Sequence, residues 1–200
     1  MDILRLSDLV AGRISTITLL PDGEQLVDDP PPGPIVSGSF NPLHTGHLGM
    51  AAAASQISGQ PAVFELPVRN ADKGQIASAE VARRAAQFDG QAPLILSAAP
   101  FFAQKASLYP GRMLVLGYDT AARLLDPRYY GGEAGLRASL DQIRAAGCRL
   151  LVAGRSVDGR FHTLADLHLP SGYADLALAI PEQLFRADIS STALREQLGL

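Results

Sequence analysis

The chain has 200 residues, 47% of them hydrophobic, with a formal net charge of −3 at pH 7 and one cysteine. That length suits one domain with a sizeable core, no apolar run is long enough to cross a bilayer, and mild acidity without a basic tract argues against nucleic-acid binding. The lone Cys148 excludes an internal disulfide, and a first segment carrying Asp2 and Asp8 without a basic start does not read as a secretory signal, so a cytoplasmic location with no membrane partner is expected.

In chain order, Ile3, Leu6, Leu9 and Val10 recur at helical spacing. Residues 13–19 alternate and are β-branched, and Pro21-Asp22-Gly23 signals a turn into a return strand at 25–27. The run Pro30-Pro31-Pro32-Gly33-Pro34 forbids regular structure, so residues 1–33 are expected to be an extension packed on a main domain of residues 34–200. Beyond it, strands are expected at 35–39, 62–68, 94–97, 112–117, 149–153 and 176–180. Helices are expected at 46–58, 78–88, 100–108, 119–125, 133–146 and 191–198. Apolar strands alternating with helices imply an α/β fold, a Rossmann-like doubly wound parallel sheet with helices on both faces. Right-handed crossovers then bring the C-terminal ends of the strands to one edge.

The most informative stretch runs from Ser37 through Gly38-Ser39-Phe40-Asn41-Pro42-Leu43-His44-Thr45-Gly46 to His47, between a strand and a helix start. Unpaired N–H groups and the positive end of the helix dipole favour phosphate there. Gly38 permits close backbone approach, Pro42 stiffens the loop, Gly46 keeps the helix entrance open, and His44 and His47 add hydrogen-bond donors able to carry charge near neutral pH. His-x-x-His spacing would also suit a metal, but no third ligand or cysteine lies nearby in the sequence, and no metal site is expected.

These residues resemble the signature of the nucleotidyltransferase superfamily that transfers AMP or CMP from a nucleoside triphosphate. Phe40-Asn41-Pro42 is similar to the variant found in nicotinamide or nicotinate mononucleotide adenylyltransferases. Two further stretches follow in the family's order: Gly117-Tyr118-Asp119-Thr120, and Ile189-Ser190-Ser191-Thr192-Ala193-Leu194-Arg195. The resemblance implies that His47 contacts the α-phosphate with His44 assisting, and that Gly38, Ser39, Phe40 and Gly46 form the nucleotide loop. It also implies that Asp119, after Gly117, accepts ribose hydroxyls, that Ser191, Thr192 and Arg195 grip the outer phosphates, and that Mg²⁺ arrives on ATP.

An acceptor site is expected just after the second strand of the domain, with Lys73 on its phosphate and Asn70 on a polar ring substituent. The chain has no tryptophan to stack on a pyridine ring, which leaves Phe101, Phe102, Tyr118, Tyr129 and Tyr130 as candidates. Lys105 and the histidines His162 and His168 read as solvated, Arg155 as a phosphate ligand or a surface ion pair, and Cys148 as a small buried hydrophobe. The expected activity is adenylyl transfer from ATP to nicotinamide or nicotinate mononucleotide. The alternatives are transfer from ATP or CTP to another phosphate-bearing acceptor and a non-catalytic nucleotide-binding module. Homo-oligomerisation is left open.

Overall fold

The computed structural model describes residues 3–70, 74–157 and 160–186. The chain opens with α1 (Ile3–Val10), β1 (Thr16–Leu19) and β2 (Gln25–Val27), followed by β3 (Ile35–Ser37), α2 (Thr45–Ser58) and β4 (Val63–Pro67). Next come β5 (Arg69–Asn70), β6 (Gly74–Gln75), α3 (Ser78–Ala85), β7 (Leu94–Ser97), α4 (Phe102–Leu108) and β8 (Met113–Gly117). The last described elements are α5 (Tyr118–Leu124), α6 (Glu133–Ala145), β9 (Arg149–Ala153), β10 (Arg155–Val157), β11 (Arg160–His162) and β12 (Ala177–Ala179).

Eight strands form one sheet in the order β12-β9-β8-β3-β4-β7-β1-β2. Every pair from β12 to β7 is parallel, whereas β7 pairs with β1 and β1 with β2 in antiparallel fashion. The first two strands therefore lengthen the central sheet, with Ile17 opposite Leu96. Strand alternation distributes the sheet's side chains to two cores. Val36, Phe64, Leu66, Leu96 and Val115 pack with α1, α2 and α3, while Ile35, Val63, Ile95, Leu114 and Leu116 pack with α4, α5 and α6. The expected doubly wound sheet with helices on both faces is what the chain forms. The helix expected at 191–198 lies outside the described residues.

Two short hairpins were not expected, β5–β6 and β10–β11. Both leave the sheet at the C-terminal ends of parallel strands, β4 and β9.

Alternation also sends Glu65 and Ser97 to the α4 face, and they meet Lys105 there. The Lys105 side chain is 2% exposed and that of Glu65 is fully buried, with Nζ 2.7 Å from each carboxylate oxygen. The reading of Lys105 as solvated is thus corrected: it lies on the inner side of α4, beside Ala103 and Ala106. Burying two charges is tolerable because each neutralises the other and the carboxylate gains a third hydrogen bond from the Ser97 hydroxyl. Removing one partner leaves the other charged and buried. Lys105→Ala is therefore expected to lower stability by about 3–5 kcal/mol, read from urea unfolding at neutral pH.

Candidate functional site

The chain runs outward from β3 through β4 to β7, then returns to the far side of β3 with β8 and continues to β9 and β12. The reversal makes the C-terminal ends of β3 and β8 a topological switch point, the place where doubly wound sheets bind ligands in a crevice. The Gly38–His47 loop leaves β3 on one side of it, and Gly117 ends β8 on the other.

A buried ring fixes the loop. Phe40 is fully buried and stands edge-on to Phe64, Phe88 and His47, with centroids 5.6, 5.0 and 5.1 Å away. Holding its side chain in the core puts Phe40 at φ +44°, a conformation that costs a non-glycine residue free energy and persists where packing enforces it. The ring also excludes a side chain at Gly38, where a Cβ would lie 2.7 Å from the Phe40 ring. Phe40 thus offers only its backbone to the loop surface, and the Asn41–Pro42 peptide that follows is cis.

From outside, α3 and the turn after it hold the loop through groups that sequence reasoning missed. The Gln87 amide donates to the Phe40 carbonyl and accepts from the Leu43 N–H, both at 2.8 Å. Arg84 donates to the Ser39 carbonyl at 3.1 Å, and Arg83 donates to the Asn41 side chain. A glutamine in a polar helix carries no signal of this in the sequence, because its partners lie more than forty residues away.

His44 is the N-cap of α2 with extended backbone, and the first turn of that helix contains no acidic residue. The two imidazoles stack, with centroids 3.8 Å apart and planes inclined by 29°. His47 Nδ1 accepts the His44 backbone N–H at 3.3 Å, so the ring proton of neutral His47 sits on Nε2, free to donate elsewhere. Burial lowers the pKa of His44. Burial, and then the neighbouring His44, bring that of His47 down to about 4. Both rings are therefore neutral at pH 7, which amends the expectation of charge near neutrality. A bound polyanion would favour the protonated forms.

Across the crevice, Tyr118 and Asp119 open α5. Asp119 forms an ion pair with Arg155 of β10, both side chains being partly exposed, so of the two readings for Arg155 the ion pair is the one observed. His162, on β11 opposite Arg155, is half-buried with its ring 5.2 Å from that of Tyr118, whereas His168 is exposed. The solvated reading thus fails for His162, which alternation in β11 turns toward α5. Gly117 has open space where a Cβ would stand, and Gly46 is buried in the first turn of α2.

The remaining candidates divide. Phe101 and Tyr129 are exposed, while Phe102 and Tyr130 pack against the α4–α6 core. Cys148 is buried, its thiol donating to the Tyr109 carbonyl at 3.1 Å. Asn70 lies in β5, with its side chain outside the description; Lys73, Ser191, Thr192 and Arg195 lie outside the described residues altogether. The last described segment reaches α2, where the Phe185 ring would be 2.9 Å from a Cβ at Gly49. Among the described residues no group of three or more carboxylate, histidine or cysteine side chains could hold a metal, and no helix is long and apolar enough to cross a membrane.

A family model described as cytidylyltransferase-like matches residues 35–197. A protein of Gloeobacter violaceus described as a probable nicotinate-nucleotide adenylyltransferase is 31% identical over 183 residues, covering 82% of each chain.

The depressed pKa of His47 couples to stability. The unfolded chain takes up a proton near pH 6.5 and the folded one near pH 4, so this contribution is complete above 6.5 and is lost as pH falls through 4. The loss approaches about 3 kcal/mol at the acid end. The expected outcome is a His47 ring-proton NMR titration with its midpoint near pH 4, and a shallower acid loss of unfolding free energy in His47→Gln.

Proposed function

Because this chain belongs to the cytidylyltransferase-like family of nucleotidyltransferases, we propose that it transfers the adenylyl group of MgATP to nicotinate or nicotinamide mononucleotide. The products are a dinucleotide and pyrophosphate. The observation that carries this reading is the pair of neutral, stacked imidazoles at the start of α2, set in a loop whose backbone is held from both sides. The name of the Gloeobacter relative supports the choice of a pyridine nucleotide acceptor.

The chemistry needs little beyond placement. The acceptor's phosphate monoester is largely ionised at neutral pH, its second pKa being about 6, so no protein base is required. One of its oxygens attacks the α-phosphorus of ATP, the bond from that phosphorus to the bridging oxygen breaks, and pyrophosphate leaves with its magnesium. The barrier is repulsion between anions and charge spreading on the α-phosphoryl oxygens. The His47 Nε2–H donates to one of these oxygens, His44 to a neighbour, and the amides of the first turn of α2 add their dipoles. Each group strengthens its contact as charge develops. Asp119 receives ribose hydroxyls once Arg155 yields it, while Ser191, Thr192 and Arg195 hold the β- and γ-phosphates. Asn70 and Lys73 face the acceptor.

Pyrophosphate release from MgATP against a panel of phosphate-bearing acceptors tests the reading. Turnover with a pyridine mononucleotide is expected; turnover with CTP alone, or ATP-dependent thermal stabilisation with no turnover at all, would overturn it. His47→Ala is expected to lower kcat by about 10²–10³-fold while ATP affinity changes far less. Gln87→Leu, which keeps volume but frees the Phe40 carbonyl and the Leu43 amide, is expected to lower kcat/KM by up to about a hundredfold; retention of wild-type kinetics would remove Gln87 from the support of the site.

A further inference from the structure

The buried charges on the α4 face lie directly beneath the C-terminal ends of β4 and β7, on the flank of the crevice away from Asp119. Their hydrogen bonds lead upward. A carboxylate can only accept, so the Ser97 hydroxyl must give its proton to Glu65, and its lone pairs then face the Ala99 N–H, 3.3 Å away. The Ser97 carbonyl takes the Val68 N–H at 2.7 Å, and the Glu65 carbonyl takes the Gly38 N–H at 3.0 Å. The Lys105 ammonium also stands 5.9 Å from the ring centroid of Phe102, at the start of α4. The chain of side chains from Lys105 through Glu65 and Ser97 thus ends on Ala99, which leaves β7 at the edge, while the backbone of the same Ser97 holds Val68, which leaves β4.

Stability alone does not account for this arrangement. A buried ion pair seldom stabilises more than apolar side chains of the same volume would. What a hydrogen-bonded buried pair does supply is a single geometry. We propose that Glu65 and Lys105 are a positioning pair for the acceptor side of the site. Acting through Ser97, they set the conformation of residues 98–101 and of the turn out of β4, between which the acceptor mononucleotide lies. The proposal rests on the function given above and assigns the pair no contact with either substrate.

The test is the double variant Glu65→Leu/Lys105→Met, which removes both charges together and so avoids stranding one. KM for nicotinate mononucleotide is expected to rise by about tenfold or more, KM for ATP to change by less than about twofold, and kcat to fall by less than KM rises. Hydrogen exchange at the Ala99 amide should quicken at least tenfold, with exchange in the 40–47 loop unaltered. An unchanged acceptor KM together with unchanged exchange at Ala99 would overturn the proposal. So would an equal rise in both KM values, or a double variant unable to fold, since each assigns the pair to general stability. A wild-type protein inactive with every pyridine mononucleotide defeats the proposed function, and exchange at Ala99 then decides the positioning role by itself.

Discussion

Two parallel strands can be neighbours only after the chain has crossed back over the sheet, and the right-handed sense of that crossing decides which face receives the helix. In this protein, winding outward from β3 and then inward again sends α2 and α3 to one face and α4, α5 and α6 to the other. It also leaves β3 flanked by strands whose onward connections diverge. The start of α2 lies at this divergence, directly after β3. Gly38, Ser39, Asp119 and Arg155 follow from this one reversal, because each lies within two residues of the C-terminal end of β3, β8 or β9.

Packing then decides which of those groups are available. Phe40 belongs to the core, and inserting it bends the backbone into a conformation that only a tightly held loop sustains. The bend turns the Phe40 carbonyl and the Leu43 amide toward Gln87, which satisfies both. The same burial draws His47 against Phe40 and His44 and makes its charged form unfavourable. Neutral rings avoid repulsion between two stacked imidazolium ions, whereas a polyanion beside them would raise the proton affinity of both. Shape and protonation are two results of one packing event.

Much of this was legible in the sequence. The apolar strands and the amphipathic helices gave nearly all their boundaries, since patterns of period 2 and 3.6 report burial directly. The signature loop could be recognised because glycine, proline and histidine occur there for reasons of backbone and charge. What escaped were contacts that depend on partners distant in sequence. Lys105 on a short helix reads as surface until β4 is seen to turn Glu65 toward it. Gln87 looks generic until the loop arrives. The β10–β11 hairpin hid in a polar stretch because its inward side chain, His162, meets a single ring of α5 rather than a core.

The two flanks of the crevice are built differently, and the difference has a physical reading. On the β8 side the polar pair is Arg155 with Asp119, whose side chains are 34% and 46% exposed. Such a pair contributes only about 0–1 kcal/mol, because water screens it and offers each partner an alternative. Separating it is easy, so Asp119 can exchange a guanidinium for another hydrogen-bonding group at little cost. On the β4 side the pair is Lys105 with Glu65, nearly or fully buried and closed by Ser97. Burial shields both partners from solvent, so that flank keeps one arrangement. Under the proposed function the yielding side exchanges its guanidinium for ribose hydroxyls while the fixed side holds the acceptor in register. In-line displacement at phosphorus needs both reactants aligned, and a flank of fixed geometry serves the alignment of one of them under the proposed function.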